Sequence, residues 1–397
     1  MAATQQHQLN RRWPVGRWVS GLAALASGLG GCVDAYLPDV VATSANYLVV
    51  DGFINGNGST RIKLSRTENI AATGTPPPEK GAKLFIADDT GQRYALTERS
   101  SGFYQSDSLV LPPGRQYQLR ITTAGAGAAT YTSDLVPLKI TPPIDAINWK
   151  PIGDQLQLTL STHDASQQSR YYRWGVTETW EFTSAFQSFI EYDRQQDIIV
   201  NRRTPIYTCW RTERSSAVRQ ASTAHLTQDA LTDAALLNFP LRAERVKIRY
   251  SVLVSQYAET ADEFAYYELL RKNTEAVGTI NDPLPVQLTG NVHRLDQASE
   301  PVLGFVGAHT VQHRRLFISR ADLPPRNNWD YDTPYRTCTS GEEILADSRV
   351  KFPRTLIFRD PSNVPIDYLG NESGYTGSSR ECVDCRLRGS NVKPDFW

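Results

Sequence analysis

The chain has 397 residues with Lys+Arg 42 and Asp+Glu 42, so it is formally neutral at pH 7. That balance excludes a strongly basic nucleic-acid binder, and the length suggests two domains, each able to bury a sizeable core. Methionine occurs only at position 1, while 18 Tyr and 8 Trp, with Thr, Val and Ile, favour pleated, half-buried surfaces.

Arg11, Arg12 and Arg17 make a basic start with no acid before Asp34, and an apolar run from Trp18 to Leu29 ends in small residues. This is the layout of a secretory signal. A run of roughly a dozen apolar residues is short for a hydrocarbon core that takes about 20, so a removable signal accounts for it better than an uncleaved anchor. Leu29-Gly30-Gly31-Cys32 closes the segment and resembles the lipobox of bacterial lipoproteins. The resemblance implies a diacylglyceryl group on the Cys32 sulfur and an acyl chain on the new amino terminus. Several buried chains anchor a protein stably where a single one holds it only marginally. Residues 1–31 are therefore read as a lipoprotein signal peptide. Residues 32–45, with Pro38, Ala42, Thr43 and Ser44, are read as a lipidated tether. The Arg11-Arg12 pair suggests twin-arginine export only weakly, because Trp13, Pro14 and Val15 do not continue that motif. Cleavage removes three arginines and no acid, leaving a body with three more acidic than basic side chains.

From Tyr47 to about Leu138 the pattern has period two. Ile62 and Leu64 alternate with Arg61, Lys63 and Ser65, and Tyr117, Leu119 and Ile121 with Gln118 and Arg120, which places one face on a core. Asn55-Gly56-Asn57-Gly58 and Asp88-Asp89-Thr90-Gly91 supply residues that tight hairpins need. Seven strands are expected, at 47–54, 60–69, 82–87, 93–98, 102–111, 116–123 and 129–138, with Pro76-Pro77-Pro78 as a stiff loop. Seven short strands with frequent turns predict a β-sandwich over 46–140.

Thr141-Pro142-Pro143 marks a boundary, since proline cannot continue a central strand, and 141–397 is expected to form a second β-rich domain with one or two helices. Strands are expected at 144–149, 154–162 and 170–182, the last carrying core candidates Trp174, Trp180 and Phe182, then at 246–254, 301–307 and 311–319. Residues 184–205 read as a polar excursion, where Phe186, Phe189 and Tyr192 form a candidate contact patch. Thr260-Ala261-Asp262-Glu263 is a capping box opening a helix whose stripe runs through Phe264, Tyr267, Leu270 and Val277, with Gly278 as a stop. A shorter helix is expected at 228–238. With Cys32 lipidated, Cys209, Cys338, Cys382 and Cys385 remain, and an even count in an exported chain reads as two disulfides. A pairing in which Cys382 and Cys385 each reach a distant partner would tie the polar C-terminal region to the body. A zinc site and a CxxC redox centre are the alternatives.

Of the candidate chemistry, His309 and His313 lie four apart without the Glu of HExxH, and read as solvated histidines rather than metal ligands. His163-Asp164 could be part of a triad, but no serine sits in a nucleophile elbow. Asp88, Asp89 and Asp107 read as turn formers. No metal or cofactor is expected.

The motifs Tyr47-Leu48-Val49-Val50-Asp51-Gly52-Phe53-Ile54, Ile62-Lys63-Leu64-Ser65-Arg66-Thr67, Cys209-Trp210, Arg249-Tyr250-Ser251-Val252-Leu253-Val254-Ser255-Gln256-Tyr257, Gly290-Asn291, Cys382-Val383-Asp384-Cys385-Arg386 and Lys393-Pro394-Asp395-Phe396-Trp397 together resemble the DUF4249 family of bacterial envelope lipoproteins. The first sandwich also resembles immunoglobulin- and transthyretin-like modules, notably at Pro112-Pro113-Gly114-Arg115-Gln116-Tyr117-Gln118-Leu119; that concerns fold, which does not carry function. The family resemblance implies an outer-membrane, lipid-anchored protein that assists or accompanies a TonB-dependent transporter, whose gene often neighbours those of the family. The single acid in Val33-Asp34-Ala35-Tyr36 leaves both faces of that membrane open. An envelope hydrolase or thiol-disulfide enzyme is the alternative.

Overall fold

The alternation after Tyr47 becomes antiparallel strands in a computed structural model. It describes residues 46–68, 74–125, 127–275, 288, 290–327, 331–339, 342–344, 356–369 and 374–397. The expected signal peptide (1–31), the expected lipid site Cys32 and the expected tether (32–45) lie outside the described residues. The first strands are β1 (Leu48–Asn55), β2 (Asn57–Arg66), β3 (Lys83–Asp88), β4 (Arg93–Ser100), β5 (Phe103–Val110), β6 (Gln116–Thr122), β7 (Thr130–Ser133) and β8 (Val136–Pro137). The strand expected at 129–138 is thus two short pieces, broken at Asp134-Leu135, and both pair with β6.

The second half opens with β9 (Ile144–Ile152), β10 (Gln155–His163) and β11 (Tyr171–Thr183). It continues through β12 (Ile190–Asp193), β13 (Ile198–Asn201), β14 (Thr208–Arg214), β15 (Arg219–Ser222), β16 (Ala230–Pro240), β17 (Arg249–Ala258) and helix α1 (Ala261–Glu275). After these come β18 (Val292–Arg294), β19 (Ala308–His309), β20 (Val311–Ser319), β21 (Glu342–Ile344), β22 (Asn363–Tyr368), β23 (Tyr375–Ser379) and the one-turn helix α2 (Arg380–Val383).

The first sheet runs β18-β7-β6-β3-β4-β5-β2-β1-β19, with β19 parallel to β1. Register shifts at Ser59/Arg61 and Glu98/Ser100 interrupt its middle ladders. Such bulges bend strands and let a sheet curl. Inward side chains from every part of it, among them Leu48, Ile54, Leu64, Ile86, Tyr104, Leu119 and Tyr131, meet in one core. Val292, Val302, Val306 and Ala308 join that core, so it is built from two separate stretches of chain. The strand expected at 301–307 is instead an irregular run along β1, bonded by Val50 N to Leu303 O at 2.8 Å and Ile54 N to Gly307 O at 2.8 Å. Gly304 explains the irregularity: its φ is +123°, and a Cβ there would lie 1.9 Å from the Val50 carbonyl oxygen.

The second core lies between the sheet β16-β10-β9 and the sheet β14-β11-β17-β20. Leu156, Leu158 and Leu160 of β10 face Tyr172, Trp174, Val176, Trp180, Tyr250, Val252 and Val254, the alternation expected of β11 and β17. The protein is therefore mainly β, a β-sandwich architecture with few helices. The helix expected at 228–238 is strand β16, paired antiparallel with β10 from Gln155↔Pro240 to His163↔Ala230. The helix formers Ala230, Leu231, Ala234, Ala235, Leu236 and Leu237 suggested otherwise. Tertiary pairing overrides such propensities, which amount to only tenths of a kcal/mol per residue, about 0.7 at most. At α1 the Thr260 hydroxyl does accept the Glu263 N–H at 3.2 Å. The reciprocal half of the capping box is not made: neither Glu263 carboxylate oxygen has a hydrogen-bond partner. The 184–205 excursion holds a small hairpin, β12 against β13.

Candidate functional site

The C-terminal region is bound onto the second sandwich. Cys385 is disulfide-bonded to Cys209 of β14 and Cys382 to Cys338, so each half of the CxxC reaches a distant partner. Cys209 and Cys385 are fully buried. Backbone bonds complete the seam, with Cys385 N to Ile206 O at 2.9 Å and Trp210 N to Ser390 O at 2.8 Å. Asp384, between the two cysteines, is buried and accepts from Arg386 Nε at 2.8 Å and Arg380 Nε at 3.2 Å. Burial alone would raise its carboxyl. The hydrogen bonds and charge from Arg386, with Arg380, outweigh that and hold it below the usual value. Arg388 grips Glu244 at 3.0 and 2.6 Å.

The excursion packs on this region through Ser188, whose hydroxyl donates to Pro365 O at 2.6 Å and accepts Arg202 Nε at 2.9 Å. Phe189 N bonds Ile366 O at 2.8 Å. The lobe so formed presents exposed apolar side chains: Phe189 at 52% exposure, with Ile198, Ile357 and Tyr368 also exposed. Of the patch expected from sequence only Phe189 is on the surface; Phe186 and Tyr192 are half-buried, and the Tyr192 hydroxyl donates to Asp197. A cavity of about 310 Å³ opens between Cys338, Cys382, Ile357, Phe358 and Asn363.

A second cluster was not legible in the sequence. His309, read there as solvated, is fully buried beside β1, its ring stacked on Phe53 at 4.2 Å. Its Nε2 lies 3.4 Å from Glu263 Oε1, and Arg173 NH2 lies 3.5 Å from the same oxygen. Arg173 donates to Glu259, which also accepts Gln220 Nε2 at 2.7 Å. The guanidinium sits 4.1 Å over the Tyr267 ring and 4.8 Å over Tyr257. Burial foremost, with Glu263 adding, pushes the Glu259 carboxyl up to about 7 against the pull of Arg173. Two carboxylates, one guanidinium and one imidazole thus join β1 and β19 of the first sandwich to β11, β17 and α1 of the second. The spacing of Arg173, Glu259, Glu263 and His309 carries no local signal, because Arg173 on β11 and His309 on β19 come from far along the chain to meet Glu259, just after β17, and Glu263 on α1.

The remaining candidates have local duties. His163 Nδ1 pairs with Asp145 at 2.7 Å rather than with Asp164. Asp164 closes a turn through Ser166 N at 2.9 Å and Ser169 N at 2.9 Å. Asp88 does the same for Thr90 and Gln92, the turn role expected of it. His313 Nδ1 shares a 2.9 Å hydrogen bond with the Ser255 hydroxyl. Among the described residues, no cluster of three or more His, Cys, Asp or Glu could hold a metal ion.

Residues 33–315 match the model of a family described as a domain of unknown function, DUF4249. No curated protein matches the chain. Among solved structures it is similar to the FN1-FN3 domains of chicken CNTN1 (13% identity, 54% of this chain and 62% of that one, TM-score 0.20). It is also similar to a DUF4785 family protein from Legionella pneumophila (11%, 53% and 51%, 0.18) and to the Yersinia pseudotuberculosis adhesin InvE (15%, 54% and 57%, 0.15). The chain spans less than two thirds of the length of each.

Proposed function

The chain belongs to the DUF4249 family, and from that premise we propose that it is a non-enzymatic lipoprotein of the bacterial cell envelope that holds a TonB-dependent outer-membrane transporter. The lipobox-like Leu29-Gly30-Gly31-Cys32 supports the anchor, and the family resemblance supplies the transporter. The observation that carries a binding role is the apolar surface of the C-terminal lobe, where Phe189, Ile198, Ile357 and Tyr368 stay exposed although the Cys209–Cys385 disulfide holds the lobe to the body. Several large apolar side chains left exposed on one disulfide-held lobe suit a contact surface.

Two measurements test the reading. Cys32→Ala should release the protein from the membrane fraction or leave an uncleaved precursor, and the wild-type N-terminal peptide should carry acyl mass. A cleaved, unacylated N-terminus in the wild type refutes the anchor. Purification from native membranes in mild detergent should bring the transporter down, and Phe189→Ser with Ile198→Ser should deplete it. These side chains are exposed, so the variants leave the core intact. A transporter that never co-purifies with the intact protein removes the partner and favours the enzyme alternative.

A further inference from the structure

The first sandwich turns a basic face to solvent. Side chains on the side of the sheet away from its core include Arg61 and Lys63 of β2, Lys83 of β3, Arg93 and Arg99 of β4 and Arg120 of β6. Among the described residues none of these six forms an ion pair. Among the described residues, Asp51, opposite Lys63, and Asp107 bring carboxylates to that side, as does Asp134, ion-paired with His293, which lies in register with Arg120 through Thr132. This excess of cation sits on a body whose sequence after residue 31 has more acids than bases. Two aromatic rings are interleaved with the cations, Phe85 under Arg93 at 4.8 Å and Phe103 under Lys63 at 5.5 Å. Phe103 is 48% exposed.

The registers place part of this face at one end of the sheet. Leu48 opposes Arg66, Lys63 opposes Phe103, Phe103 opposes Ser100, and Lys83 opposes Thr122. Lys63, Lys83, Arg99 and Phe103 therefore lie at the end where β1 begins, which is where the chain arriving from Cys32 enters the fold. The stretch between Cys32 and Leu48 can span at most about 58 Å at ~3.3–3.6 Å per residue. A lipid on Cys32 would confine this end of the sheet to within that reach of the headgroups.

We infer that this face docks on the anionic headgroups of the membrane that receives the Cys32 lipids, with the Phe103 ring set at the headgroup level. The inference rests on the lipoprotein reading. Unpaired cations near an anionic surface are attracted within a Debye length, about 10 Å at 0.1 M salt, and an aromatic ring beside them prefers the interface. The docked face leaves the C-terminal lobe, in the other sandwich, available to a protein partner.

The test uses the mature lipidated protein added to preformed vesicles of phosphatidylcholine alone or of phosphatidylcholine mixed with phosphatidylglycerol. Amines are labelled with a membrane-impermeant reagent and read by mass spectrometry, with exposed Lys150 and Lys393 as references. On the anionic vesicles Lys63 and Lys83 should label about five-fold less than on the neutral ones, a change of the size one basic contact contributes. The references should not change, and high salt should erase the difference. Combined Arg93→Glu, Arg99→Glu and Arg120→Glu should also erase it, and because these side chains are solvent-facing the fold is retained. Equal labelling on both vesicles, with the protein incorporated, overturns the docking face and leaves the lipoprotein reading standing. Failure to incorporate into either vesicle, with no acyl mass on Cys32, sinks both.

Discussion

Replacing Arg173 with methionine tests whether the cluster between the two sandwiches is held by charge. Methionine keeps much of the side chain's bulk but leaves Glu259, which is fully buried, without its cation. Breaking a buried pair from one side costs about 3–5 kcal/mol, because the surviving charge is stranded. The lost stacking on Tyr267 and Tyr257 adds about 1 kcal/mol. The loss should depend on pH. Burial lifts the Glu259 carboxyl from 4.5 to about 7, so its contribution to stability is fully present below about 4.5 and is lost as pH rises through about 7. In acid the carboxyl is protonated with or without Arg173, and the substitution should cost little beyond the stacking. In mild alkali the full cost should appear. Urea unfolding followed by tryptophan fluorescence on either side of neutrality reads both values. Adding Glu259→Gln should recover most of the alkaline loss. An equal loss at both pH values, or an alkaline loss below about 1 kcal/mol, would refute a charge-held junction and leave packing as its cause.

Removing the Cys209–Cys385 bridge as a double alanine variant should lower unfolding free energy by about 2–4 kcal/mol. In the chain-entropy account, its 176-residue separation against 44 for Cys338–Cys382 makes it the stronger of the two by about 1 kcal/mol, measured by denaturant titration of each pair. Gly304→Ala should destabilise by ~2 kcal/mol or more, since both the positive φ and the Val50 carbonyl oppose a Cβ, and a normal melting temperature would show that the segment can shift. His163 should titrate above the ordinary histidine value because the hydrogen bond and then the charge of Asp145 favour its imidazolium. Asp145→Asn should return it, as followed by the ring-proton NMR shifts.

Much of the architecture was written in local pattern. The alternation of Ile62 and Leu64 or of Tyr117, Leu119 and Ile121 stated which side chains face inward, and the aromatic run of β11 declared Trp174, Trp180 and Phe182 as core. Thr260 announced the start of α1, and the even count of cysteines after Cys32 announced two bridges. Such signals survive because a strand's or helix's periodicity, and the chemistry of a cap, belong to neighbouring residues. Tertiary structure decided everything that needed a distant partner. Residues 230–240 could satisfy their backbone as a helix alone, and became β16 because the edge of β10 offered a ladder. Glu263 reads as half of a capping box, yet its carboxylate turns to His309 and Arg173, which arrive from other elements. The run 301–307 looks like one more strand of the second half, and instead Val302 and Val306 help complete the first core because Gly304 allows the run against Val50. The basic face likewise appears only when β2, β3, β4 and β6 are laid side by side. Hydrogen bonding and charge act between surfaces, and which surfaces meet is settled by the packing of the whole chain rather than by the order of its residues.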